Sequence, residues 1–310
     1  MTALWAILAL ARTNAREGVR APVTGVVLAL GLALTLAAPE VAIFTLGNDR
    51  GFVLDMGAGS VLLAAVFLAA TTGALGTAER IQDGTANLIL AQGTGAIEYV
   101  LGAYLGTATV LAQAAWLLGL ASVHAVIPPS SGTGTADAVA LAIALGVGVR
   151  ASRAGRSFQT ATFTTLAVTG TIAVIVRALL CESFASAAPL VFLAGTGTLL
   201  SFLAGCAYLG LGVLLATRLP PALSAIGTLG AAVLGAALSG VAPGGGAARF
   251  LGAVRLVIPD LSFYSIGEAA YQDELALSFA FVGAVLAWTL AYTAGVLGLG
   301  AAILDRRELG

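Results

Sequence analysis

Ligation, nucleophilic attack and proton transfer each need particular side chains, and this chain carries few of them. His124 is its only histidine, and Cys181 and Cys206 are its only cysteines. One histidine builds neither a His-based metal site nor a catalytic triad, and no nucleophile–base pair is visible. The two cysteines make neither a disulfide framework nor a metal-ligand spacing. The chain has no lysine, so it cannot contain the GxxxxGK[ST] phosphate loop. Polar residues inside or beside long apolar runs remain: Gln113, Arg177 and Glu182. His124 reads as a snorkelling residue near the end of such a run, and Cys206 as a small core residue.

The runs themselves decide the class of protein. Of 310 residues, 59% are apolar and 9% are charged, where a soluble domain carries about 25% charged residues. So few charges cannot solvate a soluble surface of this size, which excludes soluble enzymes, nucleic-acid binders and disordered scaffolds. Runs long enough to cross about 30 Å of hydrocarbon lie near 22–46, 60–77, 97–125, 158–180, 189–216, 222–242 and 275–303. A weaker one, 135–149, reads ADAVALAIALGVGV. A membrane barrel would need segments of about ten residues alternating in polarity. These runs are long and uniformly apolar, so the expected fold is all-α, a polytopic transmembrane bundle.

Charge placement sets the expected orientation. Residues 1–21 form an apolar front with Trp5, followed by Arg12, Arg16 and Arg20 four apart on one side of a helix. A signal peptide has the opposite order, so an amphipathic helix in the cytoplasmic interface is expected. With that end inside and eight crossings over 22–310, the inner side holds Arg12, Arg16, Arg20, Arg80, Arg150, Arg153, Arg156, Arg218, Arg306 and Arg307. The outer side holds Arg50, Arg249 and Arg255. Both termini are then cytoplasmic, and the membrane is the inner one. Seven crossings would result if 135–149 lay in the outer interface, but that places Arg306 and Arg307 outside.

Gln113 lies mid-span and is expected to hydrogen-bond to a neighbouring helix. Arg177 lies about a turn from the outer end of its span, and Glu182 follows one and a half turns later. A pair between them lowers the cost of both charges. The three residues are also the candidates for an intramembrane polar path. The 40 glycines include Gly102 and Gly106, a GxxxG. That pattern lets two helices approach closely, within a bundle or between copies.

Residues 78–106, AERIQDGTANLILAQGTGAIEYVLGAYLG, form an unusual inner segment. It opens on Glu79, Arg80 and Asp83, turns at Gly84, and carries a short apolar patch at Leu88, Ile89 and Leu90. A second turn at Gly93-Thr94-Gly95 returns it to the membrane. A short half-apolar helix at the inner face is a surface for another protein or for lipid.

This stretch resembles the signature of ABC-2-type transporter permeases, a Glu-rich start, a Gly-Thr, a Leu-Leu-Ala-like patch, a turn and a Tyr-x-Leu-Gly entry to the next helix. Glu79, Arg80, Gly84, Thr85, Leu88, Leu90, Ala91, Tyr99, Leu101 and Gly102 stand at matching places. Gly93-Thr94-Gly95 replaces the family's Pro-containing turn, and Ala103 stands where Lys is common. The tail ILDRREL at 303–309 is similar to the family's closing Arg-Arg-Asp-Leu-like end. The segment IPDLSFYSIGEAAYQDE, within the outer loop 243–274, is similar to its re-entrant elements. Residues 127–188 read as an extra hairpin added to a six-span core.

The resemblance implies a transport subunit that is not itself an enzyme and carries no cofactor. ATP and Mg²⁺ would sit on a separate ATPase subunit. The family's coupling helix, here 79–92, docks into that ATPase, with Glu79, Arg80, Gly84, Thr85, Leu88, Ile89 and Leu90 as its contact residues. A second permease chain, identical or not, completes the transporter, and export is the expected direction. An ion-coupled carrier and a non-transport membrane anchor or sensor stay open as alternatives. The missing intramembrane carboxylates count against the carrier.

Overall fold

The computed structural model describes residues 3–42, 49–127, 133–180, 184–239, 254–255, 257–266 and 279–306. Every regular element among them is helical. In chain order these are α1 (Ala3–Arg20), α2 (Pro22–Ala42), α3 (Asp49–Leu68) with a π segment (Ala69–Leu75), and α4 (Gly76–Gln82). Then follow α5 (Thr85–Ala91), α6 (Ala96–Val126), α7 (Thr133–Arg153), α8 (Phe158–Leu180), α9 (Phe184–Ala216) and α10 (Pro221–Ser239). A 3₁₀ turn (Leu261–Tyr264) precedes α11 (Phe279–Asp305). Seven helices are long and apolar enough to cross a membrane, α3 through α4 counting as one of 34 residues. The chain is therefore a multi-pass helical membrane protein.

In hydrocarbon the hydrophobic effect does not drive helices together, so shape and hydrogen bonding must. The centre is α9, where 78% of the most apolar stretch is buried, against 17% for α8. It packs on α3, the π segment, α6, α10 and α11. In the π segment the backbone bonds run one residue longer than in an α-helix, which leaves carbonyls of the adjoining turn to be satisfied otherwise. Two hydroxyls serve there: Thr71 donates to the Phe67 carbonyl at 2.7 Å and Thr72 to the Leu68 carbonyl at 2.6 Å. Both α9 and α10 rest on this segment.

Helix α1 packs chiefly on α6, and the GxxxG is the reason. A β-carbon on Gly106 would lie 2.5 Å from the Asn14 Cβ and 2.7 Å from the Ala11 carbonyl oxygen. One on Gly102 would lie 2.6 Å from the Leu10 Cβ. Buried Asn14 donates from Nδ2 to the Gly102 carbonyl at 3.4 Å. The pair of glycines therefore seats a helix of the same chain. Arg12, Arg16 and Arg20 stay exposed on the far side of α1.

The weak run 135–149 lies within α7, which runs antiparallel to α8. Thr169 donates to the Ala140 carbonyl at 3.4 Å, and Gly148 sits against Thr162 and Phe158. The hairpin docks by α8 on α6. With its amide nitrogen turned toward them, Gln159 donates to the Val19 and Arg20 carbonyls at 3.2 and 2.8 Å. The α7–α8 turn thus lies at the bundle end that holds the C-terminus of α1.

Replacing Gly106 by Leu should destabilise the protein by about 1–3 kcal/mol through overpacking, with α1 released from α6. Thermal unfolding in detergent, combined with limited proteolysis after Arg12 and Arg16, checks this. An unchanged midpoint with α1 still protected would refute the seat.

Candidate functional site

The segment between α4 and α6 is shaped by two glycines. The long helix ends at Gln82, and the chain reverses at Gly84, whose φ of +75° is a left-handed conformation that costs little only without a β-carbon. Helix α5 covers Thr85–Ala91, and Gly93 at φ +87° turns the chain back. Glu98 accepts from the Gly95 backbone N–H at 3.3 Å, which caps the start of α6. The expected coupling helix 79–92 is therefore two elements: Glu79 and Arg80 close the long helix, while Leu88, Ile89 and Leu90 ride on a separate short one.

Those residues do not share one exposure. Leu88 is 68% exposed. Ile89 and Leu90 are half-buried against the main core cluster, to which Ile81, fully buried Ala86, Tyr99 and Leu304 also belong. Thr85, Glu79 and Asp83 are exposed. Arg80 is engaged within the chain, its Nη2 lying 2.8 Å from Glu17 Oε2. That pair ties α1 to the end of the long helix. As a half-exposed pair it contributes modestly to stability. Only Leu88 thus presents a large apolar side chain outward from α5.

The intramembrane polar residues fall into separate places. Gln113 is half-buried on α6, and its amide has no hydrogen-bond partner among the described residues. The bond to a neighbouring helix expected of it is not present there. Arg177 lies elsewhere, near the far end of α8, and is 7% exposed. Its Nη1 donates to His124 Nε2 at 2.6 Å and its Nη2 to the Ile127 carbonyl at 2.6 Å. An arginine can only donate, so Nε2 must carry the lone pair and the His124 proton sits on Nδ1. His124 stands 11 residues beyond Gln113 on α6, about 16 Å at the helical rise. The structure therefore does not join Gln113 and Arg177 into one path. Glu182, the partner expected from the sequence, lies outside the described residues.

His124 also lines a groove of about 280 Å³ between α2, α6 and the α7–α8 hairpin, whose other walls include Leu32, Leu117, Leu141, Leu166 and Val174. Nothing in the spacing of His124 and Arg177, 53 residues apart, signals their contact. Only the docking of the hairpin on α6 does.

Residues 257–266 are tied down by tyrosines. Tyr208 donates to the Pro259 carbonyl at 2.6 Å, and Tyr292 to the Val257 carbonyl at 2.7 Å. Asp260 accepts from the Ser262 N–H at 2.9 Å and lies 3.4 Å from the Arg255 guanidinium. Tyr264 is 3% exposed and shares a hydrogen bond with Thr289 at 3.1 Å. Burial pushes its phenol above the usual range, the Thr289 bond acting in the other direction. Of the aromatic residues in this segment, Phe263 is exposed and Tyr264 turns inward. Tyr271, with most of 243–274, lies outside the described residues.

Replacing Arg177 by Met should cost about 1.5–3 kcal/mol, because charge-assisted bonds to His124 and the Ile127 carbonyl are lost. His124→Ala in the same protein should then cost less than it does alone. A double-mutant cycle of thermal unfolding measures the coupling, and strictly additive effects would contradict the contact.

No protein-family model matches the chain, and no curated protein matches it.

Proposed function

We propose that the chain is the membrane-spanning permease subunit of an ATP-binding cassette transporter of the ABC-2 type, exporting its substrate across the inner membrane. A separate subunit binds and hydrolyses ATP and Mg²⁺, and a second permease chain completes the assembly. The observation that carries this reading is α5, a short helix seated on the bundle by Ala86, Ile89 and Leu90 between two left-handed glycines, with Leu88 turned outward. Its residues are the ones that resemble the family's coupling segment.

Eight crossings with both termini cytoplasmic fit the same arrangement. One end of the bundle gathers the C-terminus of α1, the α4–α5 corner, the α7–α8 turn, the α9–α10 turn and the end of α11. Arg12, Arg16, Arg20, Arg80, Arg150, Arg153, Arg156, Arg218 and Arg306 belong to it, while Arg50, Arg177 and Arg255 lie toward the other. Arginine excess marks the cytoplasmic side. Helix α7 has 21 residues, about 31 Å at the helical rise. Running antiparallel beside α8, it crosses if α8 does.

ATPase closure moving α5 would change the balance between permease states, a linkage between two sites. A lipid contact for Leu88 is the weaker reading, because its neighbours Glu79 and Asp83 oppose an anionic surface. Burying Leu88 in a protein cleft contributes about 1.5–3 kcal/mol, so its loss weakens the complex about tenfold to a hundredfold.

Leu88→Asp should therefore leave the melting temperature unchanged and abolish co-purification of an ATPase with the tagged chain. A variant that keeps its ATPase and its substrate-stimulated hydrolysis in lipid would overturn the coupling role. For orientation, Ser157→Cys in a background without Cys181 and Cys206 should react with a membrane-impermeant thiol reagent only from the cytoplasmic side. Labelling from outside intact cells would exclude eight crossings.

A further inference from the structure

Among the described residues lining the groove between α2, α6 and the α7–α8 hairpin, His124 is the polar one and the rest are apolar. Polar contacts hold the hairpin on the bundle at its two ends. Gln159 bonds to the Val19 and Arg20 carbonyls at one, and Arg177 to His124 and the Ile127 carbonyl at the other. Between them the groove stays open: a β-carbon on Gly170, in its wall, would only touch Leu120 at 3.7 Å. Ala38 and Ala42 share a cluster with Ala125 and Val126, so the described ends of α2, α6 and α8 are level. Leu36, Leu120 and Val174 in the groove each stand six residues before those ends, about 9 Å at the helical rise. Glu40, His124 and Arg177 stand two or three residues from the same ends. The charged residues therefore lie at headgroup depth, and the apolar walls lie below them in the hydrocarbon.

Charge at the mouth has both signs. The cation of Arg177 lies behind His124, 2.6 Å from its Nε2. Glu40 is exposed and follows Leu36 by four residues, on the line that Leu32 and Leu36 draw along α2. On α7, which starts at this end, Asp137 precedes Leu141 by four residues. The mouth thus has a cation at its back and acidic positions on the two flanking helices. Water does not fill an apolar cavity, and an empty one forfeits the dispersion contacts of its lining. A hydrocarbon chain is the filling the bilayer supplies. A partner helix would need both signs of charge at one height above an apolar stretch, and an anionic lipid would meet the acids. A phosphatidylethanolamine brings an acyl chain, a phosphate and a primary ammonium in the required order.

We propose that this groove binds one phosphatidylethanolamine from the leaflet nearer Arg177, with an acyl chain between α2 and the hairpin, the phosphate toward Arg177 and the ammonium toward Glu40. An ammonium offers hydrogen-bond donors to a carboxylate, and such bonds are charge-assisted. A choline headgroup has no donor to give, and a glycerol headgroup has no positive charge. The bound chain also fills the gap under the hairpin and so helps to seat it on the bundle. The site is independent of what the protein transports and of which side is cytoplasmic.

The test uses the purified, delipidated full chain in detergent. It is titrated separately with phosphatidylethanolamine, phosphatidylcholine and phosphatidylglycerol of identical acyl chains, and bound lipid is counted by native mass spectrometry. One phosphatidylethanolamine should bind about twofold to fivefold more tightly than either other lipid, the range of an exposed charge pair. Glu40→Gln should erase that preference. Gly170→Leu, which fills the groove, should weaken binding of all three lipids about tenfold. Equal affinity for the three lipids overturns the proposal, and so does a preference for phosphatidylglycerol. A preference that survives both substitutions belongs to another part of the surface and overturns it too. A chain that binds no lipid, its groove covered by a second copy or a partner helix, does the same. If Gly170→Leu does not fold, Glu40→Gln at its exposed position decides alone.

Discussion

The dry interior of the bilayer governs this structure, because a polar group there has no water to fall back on. Several described departures from a plain apolar helix come with an internal partner for what they expose. The π segment would leave carbonyls bare, and Thr71 and Thr72 cover two of them. Thr35 and Ser60 share a hydrogen bond at 2.6 Å between α2 and α3. Ser201 reaches the Ala58 carbonyl at 3.0 Å, tying α9 to α3. Buried tyrosine hydroxyls reach carbonyls of 257–259. These bonds join helices that have no hydrophobic reason to prefer one another over lipid. Glycine supplies the other half of the solution, by letting α1 come down onto the backbone of α6.

The sequence shows the apolar layer well and its edges poorly. The runs 97–125 and 158–180 nearly coincide with α6 (Ala96–Val126) and α8 (Phe158–Leu180). The run 60–77 undershoots badly, since one helical stretch spans Asp49–Gln82. Its first turns carry Asp49, Arg50 and Asp55, and its last turn carries Glu79 and Arg80. Hydropathy reports contact with hydrocarbon, whereas a helix continues wherever its backbone bonds are satisfied. The same limit hides the break at Gly84. A glycine followed by Thr reads as a turn, but nothing in composition separates one coupling helix from a helix end plus a short second helix.

Partners across the bundle are the least legible part. Gly102 and Gly106 announce a close contact, yet the pattern does not say with what. The structure answers with Asn14, Ala11 and Leu10 of the same chain. Arg177 needs a partner at its depth, and Glu182 is the nearest in sequence. The described contacts go to His124 and the Ile127 carbonyl, because α8 lies on α6 with its end level with theirs, and Glu182 lies outside the described residues. For Leu88, Ile89 and Leu90 the apolar patch is visible in the sequence. Its division into one outward residue and two inward ones follows only from how α5 sits on the core.

The π segment also has a counting consequence. It holds one residue more than an α-helix would over the same turn, so the extra residue is absorbed locally and α4 leaves the bundle in phase with α3. Each residue of an α-helix turns the chain by about 100°. Losing one residue from Ala69–Leu75 would restore the regular ladder and leave everything beyond it facing as before, whereas losing one from the regular turns of α4 ahead of Arg80 would rotate everything beyond by that angle. Arg80 would swing away from Glu17, and the outward direction of Leu88 would be lost with it. The π segment is thus the one place in this long helix where a residue can be gained or lost without changing the aim of the exposed corner.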